Sequence, residues 1–160
     1  MVNQDQKYPE IYLAIDNCFA SKRFTEPHEW MSLIKDLGLK YIEASADTEC
    51  DPLYMTPEYI ENWLHEVKKT ASLYNTTVCN LYSGHGTYAT LGLSHTSLKI
   101  RDRILNVWLK PMVGMASDPG AGLGFYCHAF ADQVLQDPGK YYANYEDLVA
   151  RLAELSEFAA

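Results

Sequence analysis

The chain has 160 residues, 48% of them hydrophobic and 21% charged, which is the composition of an ordinary globular domain with one core. Its net charge of −8 argues against nucleic acid as the main partner, because phosphate backbones require a positive protein surface. The polar N-terminus lacks the apolar segment of a signal peptide, and no apolar run approaches the length of a membrane span. We therefore expect a cytoplasmic protein with no membrane partner.

Two β-α units are predicted in the first half of the chain. Helix two has a Thr56 N-cap, Pro57 in its first turn and Asn75 as a left-handed stop. The acids of the segment 45–55 lack the pattern of a calcium-binding loop, so this segment is predicted to be solvated. The predicted elements are strand one at 11–15, helix one at 25–37, strand two at 41–44 and helix two at 57–74.

The second half repeats the pattern. Pro111 lies inside the apolar periodicity of helix three and is expected to kink or break it. Gly122 and Gly124 in strand four indicate a close approach of another group to the backbone. The elements are strand three at 77–82, a loop at 83–88, helix three from 96 or 97 to 116, strand four at 122–128, and helix four, which begins at 137–138 or near 144.

Four β-α units without a linker predict a single α/β unit over residues 1–160. An open doubly wound sheet and half of a TIM barrel both fit this pattern. No G-x-G-x-x-G or G-x-x-x-x-G-K-[ST] motif follows a strand, so a nucleotide-binding version of the open sheet is not indicated. No Cys-x-x-Cys pair or G-x-S-x-G nucleophile motif occurs either. Cys79 and Cys127, inside apolar runs, are predicted to be buried thiols.

Particular segments decide between the two architectures. The helix-Gly-strand-acid unit Leu37-Gly-Leu-Lys-Tyr-Ile-Glu43 resembles the second strand of the xylose-isomerase-like TIM barrels, a group of sugar and sugar-phosphate isomerases and epimerases. The segments 91–101, 108–112 and 122–128 are similar to the third helix and fourth strand of that group. The resemblance implies parallel strands in a (β/α)4 half of a TIM barrel, here the N-terminal half.

The resemblance also implies an activity and a cofactor. Such enzymes move a proton next to a carbonyl in a sugar or sugar phosphate, and a divalent metal (Mn, Co, Mg or Zn) stabilises the enediolate. Their metal ligands, Glu, Asp, His and Glu, lie in the second half of the barrel. This chain stops after helix four, so it is expected to resemble a truncated enzyme that holds no metal ligand or catalytic residue and is inactive by itself.

Five residues are predicted to bind substrate, because active sites of such barrels gather at the carboxyl ends of the strands. Glu43 ends strand two, and Asp16 follows strand one. His85, between two glycines, follows strand three, while His128 closes strand four. Tyr88 could stack on a sugar. The competing interpretations are a solvated acid for Glu43, a half-buried histidine for His128, and core or rim packing for Tyr88.

Two other functions remain open. In the related apurinic endonucleases, histidines near the ends of strands three and four bind zinc, and His85 and His128 occupy similar places. The negative net charge counts against such a phosphodiesterase. The other alternative is a non-catalytic half barrel that acts as an oligomer or binding module. Because an isolated half barrel exposes two strand edges and an inner sheet face that we expect to be apolar, we predict a homo-oligomer.

Overall fold

The computed structural model describes residues 11–83, 85–127 and 130–160, without the side chains of 48 and 85–87. In this part of the chain, four parallel strands form one sheet in the order β1-β2-β3-β4. The strands are β1 (Ala14–Asp16), β2 (Tyr41–Ser45), β3 (Thr77–Ser83) and β4 (Gly122–Phe125).

The strand order decides the architecture. Each strand pairs with the next strand along the chain, so every crossover proceeds in the same direction across the sheet. Since parallel crossovers are right-handed, this order places the connecting helices on one face only. A doubly wound sheet instead reverses its strand order and carries helices on both faces. The fold is therefore that of a partial TIM barrel, as the sequence predicted.

The segments that connect the strands contain more helical elements than the sequence indicated. A 3-10 turn, Gly92–Ser94, and a π-helical segment, Ile104–Leu109, lie among them. The α-helices are α1 (Cys18–Ser21), α2 (Pro27–Asp36), α3 (Ala46–Glu49), α4 (Pro57–Tyr74), α5 (His85–Thr90), α6 (Leu98–Arg103), α7 (Lys110–Ser117), α8 (Asp132–Leu135) and α9 (Pro138–Ala159).

The core lies between the helices and one face of the sheet. Alternate strand residues such as Ile42, Ala44 and Leu81 are fully buried there, because side chains of a strand point to opposite faces in turn. Helices α2, α4 and the helical run 98–117 cover them, and each contributes large buried side chains. The largest of these are Trp30, Met31, Ile34, Trp108, Leu105, Leu109, Met112 and Val67.

Pro111 does not break helix three but coincides with a change of its winding. The run from α6 to α7 continues through the π-helical segment, and the Lys110 N–H bonds to the Leu105 carbonyl, five residues back. Proline donates no hydrogen bond, and its ring clashes with the carbonyl four residues earlier in an α-helix. The wider π turn relieves that conflict directly before the proline.

The ends of α4 confirm the predicted signals. Thr56 accepts a hydrogen bond through its side chain from the Tyr59 N–H, and Pro57 is the first helical residue. Asn75 adopts the left-handed conformation, with φ of 53°. Helix α9 begins after Asp137, which is the first of the two starts considered.

Several sequence predictions were wrong. The predicted loop at 83–88 contains the first residues of α5, which spans His85–Thr90. Strand one begins at Ala14 rather than at residue 11, and Ile11 is 90% exposed, so the apolar run before β1 is not covered on both faces. The segment 45–55 is not a solvated loop, because it contains α3 and the buried acids Glu49 and Asp51. Cys127 is exposed, because β4 ends at Phe125 and the thiol lies beyond the sheet.

None of the helices in the described ranges is both long enough and apolar enough to cross a membrane.

Candidate functional site

The face of the sheet that carries no helices is polar at the carboxyl ends of its strands. Asp16 of β1 pairs in register with Glu43 of β2, and Glu43 pairs with Asn80 of β3. Tyr82, two residues after Asn80, lies on the same face. All four side chains are partly exposed. The expectation of an apolar inner face was therefore wrong at this end of the sheet. We call these four residues the strand-tip site.

A hydrogen bond joins the two central members of the strand-tip site. The Asn80 Nδ2 donates to Glu43 Oε1 over 3.2 Å. The neighbouring strand leaves room for the amide, since a Cβ on Gly124 would lie 2.8 Å from Asn80 Nδ2 and one on Gly122 would lie 3.1 Å from Asn80 Oδ1. The close approach predicted for these glycines is thus the packing of the Asn80 side chain against β4.

A second polar pair lies at the end of β3, where Ser83 is fully buried and faces the opposite side of the sheet from Asn80 and Tyr82. The Ser83 hydroxyl, at the end of β3, donates to Asp47 Oδ1 over 3.0 Å. Asp47 belongs to α3, which begins directly after β2. The short helix therefore brings a second carboxylate to the strand tips, from the segment for which the sequence predicted a solvated loop.

Asn17 supports the strand-tip site from within the fold. It is fully buried, and its Oδ1 accepts a hydrogen bond from the Ser45 N–H over 2.8 Å. Its own N–H donates to the Glu43 carbonyl over 3.0 Å. These two bonds continue the pairing of β1 with β2 beyond the strand, so Asn17 fixes the backbone on both sides of Ala44.

The electrostatic field at the strand tips is negative. The pKa of the Tyr82 phenol is raised, first by burial and then by Asp47, Glu43 and Asp16. The pKa of the Cys18 thiol is also raised, by burial and then by its interaction with Asp16. A thiol needs a lowered pKa to act as a nucleophile at neutral pH, so Cys18 is unsuited to that role.

The predicted substrate-binding residues have different outcomes. Glu43 and Asp16 lie at the strand tips, and the Asp16 carboxylate accepts a hydrogen bond from the Cys18 N–H over 2.8 Å. Tyr88 is 68% exposed on α5, and its ring lies 6.1 Å from that of Tyr126, just after β4. The side chain of His85 and the whole of His128 lie outside the described residues, so their predicted roles remain untested.

Asn80 is a member of the site that the sequence prediction did not single out. It lies within predicted strand three, at 77–82. A signal was present, because an amide inside a buried parallel strand needs a hydrogen-bonding partner. The pair Gly122-x-Gly124 on the next strand supplied the second half of that signal, which is space for the amide.

The same residues also decide whether the strand tips could hold a metal ion. Within the described ranges, no three His, Cys, Asp or Glu side chains converge into a group that could hold a metal ion. The strand-tip site as described therefore does not supply a complete ligand set, and no chemical step at this site is derived through a metal.

An apolar groove of about 430 Å³ also opens between α4 and α7. Proline and aliphatic side chains line most of it, among them Pro57, Ile60 and Met115. Ligand sites combine an apolar wall with a few convergent polar groups. Glu61 is the charged residue of this lining, so the groove lacks that combination.

Two solved structures are similar to this chain. A protein from Rhodospirillum rubrum, provisionally named a xylose isomerase, matches 94% of the chain with a TM-score of 0.82 and 21% sequence identity. D-psicose 3-epimerase from Clostridium cellulolyticum, crystallised with D-tagatose, matches 93% of it with a TM-score of 0.66 and 16% identity. No protein-family description and no curated protein sequence matches the chain.

The matches confirm the fold that the sequence predicted. Both similar structures belong to the xylose-isomerase-like TIM barrels. The chain spans about half of their lengths, 50% and 48% respectively, as the half-barrel topology requires. At these identities the similarity establishes the fold, and the activity must be argued from the strand-tip site.

Proposed function

We propose that this chain supplies one half of the active site of a sugar isomerase or epimerase, and that its strand tips bind the hydroxyl groups of the sugar. The observation that carries the proposal is the convergence of Asp16, Glu43, Asn80 and Tyr82 on one face at the carboxyl ends of three adjacent strands. Active sites of TIM barrels gather at this end of the sheet.

The chemistry of these groups suits a polyol. The Glu43 carboxylate has two oxygens, of which Oε1 accepts one bond from Asn80, so it retains capacity for sugar hydroxyl donors. Tyr82 and the exposed Tyr88–Tyr126 pair supply phenol groups and flat ring faces. A sugar provides hydroxyl donors for the carboxylate and an apolar C–H surface for the aromatic rings.

The reaction itself requires groups beyond those described at the strand tips. A shift of a proton next to a carbonyl needs a positioned acid or base and a group that stabilises the developing negative charge. The carboxylates at the strand tips would repel that developing negative charge rather than stabilise it. We therefore propose that these residues orient the sugar, while the proton-transferring groups and any divalent metal are held elsewhere in the intact enzyme.

The test is sugar binding to this chain and to two variants. Calorimetric titration with ketoses, including D-psicose and D-tagatose, should detect binding that weakens about threefold to tenfold in Glu43→Gln, the cost of one hydrogen bond. Glu146→Gln, which removes an equal charge from the exposed surface of α9, is the matched control and should bind normally. Equal affinities in all three proteins would overturn the proposal.

A turnover assay completes the test. We expect no epimerisation when the chain is incubated with manganese or cobalt and a panel of ketoses and ketose phosphates. Clear turnover would contradict the division of labour between this chain and the rest of the enzyme.

A further inference from the structure

The short helix α3 connects the strand-tip site to the helix layer. At one end, Asp47 accepts the hydrogen bond from Ser83 at the tip of β3. Two residues later, Glu49 points between α2 and α4, where Trp63 Nε1 donates to its Oε2 over 3.2 Å. One turn of helix thus carries one carboxylate toward the site and another into the interior.

The interior carboxyl is poorly supplied with partners. Glu49 is 2% exposed, and its Oε1 is buried without a hydrogen bond from the described residues. The Trp30 indole is fully buried on the α2 side, and its Nε1 lies close enough to the Glu49 carboxyl to lower its pKa but makes no hydrogen bond of good geometry within the described ranges. A buried carboxylate with a single good donor is costly, because its hydration is lost and only partly replaced.

Both protonation states of this carboxyl are accessible near neutral pH. Burial raises the pKa of Glu49 to about 7, and this effect outweighs the lowering by the indole N–H groups of Trp63 and Trp30. The nearby Glu26 carboxylate raises it further. Glutamate in water loses its proton well below this range.

The charged neighbours of Glu49 come from each packed element. Glu26 precedes α2, and Tyr59 on α4 has its own pKa raised by burial and then by Glu49. Within its own segment, Cys50 is fully buried beside it, and the pKa of this thiol is raised by burial and then by Glu49, Asp51 and Asp47. Of the other elements that contact α3, β2 carries Glu43, whereas α1 and β3 contain no Asp, Glu, Lys, Arg or His.

We propose that Glu49 is a positioning residue whose protonation sets the placement of α3 between α2 and α4 and, through Asp47 and Ser83, the geometry of the strand-tip site. The first part stands on the buried Trp63–Glu49 contact alone. The consequence for a sugar ligand rests on the function proposed above.

The physical link is the change in the Trp63 contact. An ionised carboxylate accepts a stronger hydrogen bond than a neutral one and also seeks water. Each state therefore favours its own distance between α3 and the two helices. Since Asp47 and Glu49 lie on the same turn, a shift of this turn changes the Asp47–Ser83 contact, whose length is 3.0 Å.

The experiment follows two probes against pH in the 160-residue chain. Tryptophan fluorescence reports on the indoles around Glu49, and the backbone amide shifts of Asp47 and Ser83, measured by two-dimensional NMR, report on the site. Both should show one transition with the same midpoint, about pH 7. Glu49→Gln should lose both transitions, and the control Glu146→Gln should keep them.

A third variant distinguishes an effect of the Trp63–Glu49 hydrogen bond from a general change in the fold. Trp63→Phe retains the ring but lacks the donor, so its Asp47 and Ser83 amides should titrate with a midpoint at higher pH than in the unsubstituted chain. A fluorescence transition without movement of the Asp47 and Ser83 amides would overturn the coupling. Transitions that persist in Glu49→Gln would overturn the assignment to Glu49. Either result would leave the sugar-binding proposal standing, because that is tested by titration with ketoses at one fixed pH.

Discussion

Glu43 and Glu49 are six residues apart in sequence, yet they occupy opposite environments. Glu43 is half-buried at the tip of β2, where Asn80 donates a hydrogen bond to one of its oxygens. The rest of its side chain is partly exposed to solvent. Glu49 is buried between two tryptophans in the helix layer. The same side chain is thus partly exposed in one place and removed from water in the other.

The difference shows which surroundings matter for a carboxylate. Under the proposed function, partial exposure would let Glu43 exchange a water for a sugar hydroxyl at little cost, because both are hydrogen-bond donors. Burial makes the charge of Glu49 expensive, so its environment favours the neutral form up to a pKa of about 7. Three predictions can break or sharpen this comparison.

The largest expected effect is the pH dependence of stability that Glu49 creates. Because its folded pKa is raised from 4.5 to about 7, the folded state retains a proton that the unfolded chain releases between these values. The stabilisation is complete below the unfolded pKa and is lost as pH rises through the folded one. Its full size is about 3 kcal/mol. Urea unfolding at about pH 4.5 and pH 8 should show this loss in the unsubstituted chain and not in Glu49→Gln.

Glu43→Gln serves as the control for that profile and should retain the loss of stability. If Glu49→Gln has the same pH dependence as the unsubstituted chain, the carboxyl is solvated in the folded state and the contrast with Glu43 fails.

The second effect compares two tryptophans that differ in what their indole nitrogens contact. Trp63 Nε1 donates to Glu49, whereas Trp108 Nε1 is buried without a hydrogen bond from the described residues. Trp63→Phe should therefore lower the free energy of unfolding at pH 8 by about 1.5–3 kcal/mol more than Trp108→Phe, since it removes a bond to a charged group. Chemical denaturation of both variants at two pH values measures this difference.

At pH 5 the gap between the two variants should narrow, because Glu49 is then neutral and accepts a weaker bond. A gap that is independent of pH would show that the lost ring volume, rather than the contact with the carboxylate, determines the cost.

The smallest expected effect is on stability when Glu43 is changed. Glutamine retains an oxygen that can accept the bond from Asn80, and the site is partly exposed, so Glu43→Gln should alter the free energy of unfolding by less than about 0.5 kcal/mol. A thermal melt should shift by no more than about 2 °C. Lower stability by several degrees, with normal sugar affinity, would make Glu43 a structural residue.

The homo-oligomer remains a prediction, and the polar strand tips weaken one of the two grounds for it. Strands β1 and β4 form the edges of the sheet within the described ranges, and Ile11 and Leu13 are exposed beside β1. These features still favour association. The polar strand tips, however, remove part of the apolar inner face on which the prediction was based. Sedimentation at micromolar concentration distinguishes an oligomer from a monomer.

The sequence by itself determined the local elements and their order. The cap and stop of α4 were predicted from Thr56, Pro57 and Asn75, because capping depends on residues within one turn of the helix end. The recurrence of four β-α units predicted a parallel sheet, and the segment from Leu37 to Glu43 carried a resemblance whose barrel fold the two similar solved structures share. These signals depend on neighbours in sequence, so they could be identified without a structure.

Only the tertiary structure decided the surroundings of each polar side chain. The burial of Glu49 depends on Trp30 and Trp63 from two separate helices, and the placement of Asn80 depends on Gly122 and Gly124 from another strand. Similarly, Ile11 and Leu13 before β1 would suit a covered strand but are exposed in the part of the chain that the structure describes. Hydrophobicity and charge in sequence describe what a side chain prefers, whereas packing between distant segments determines whether water, an indole or an amide meets it.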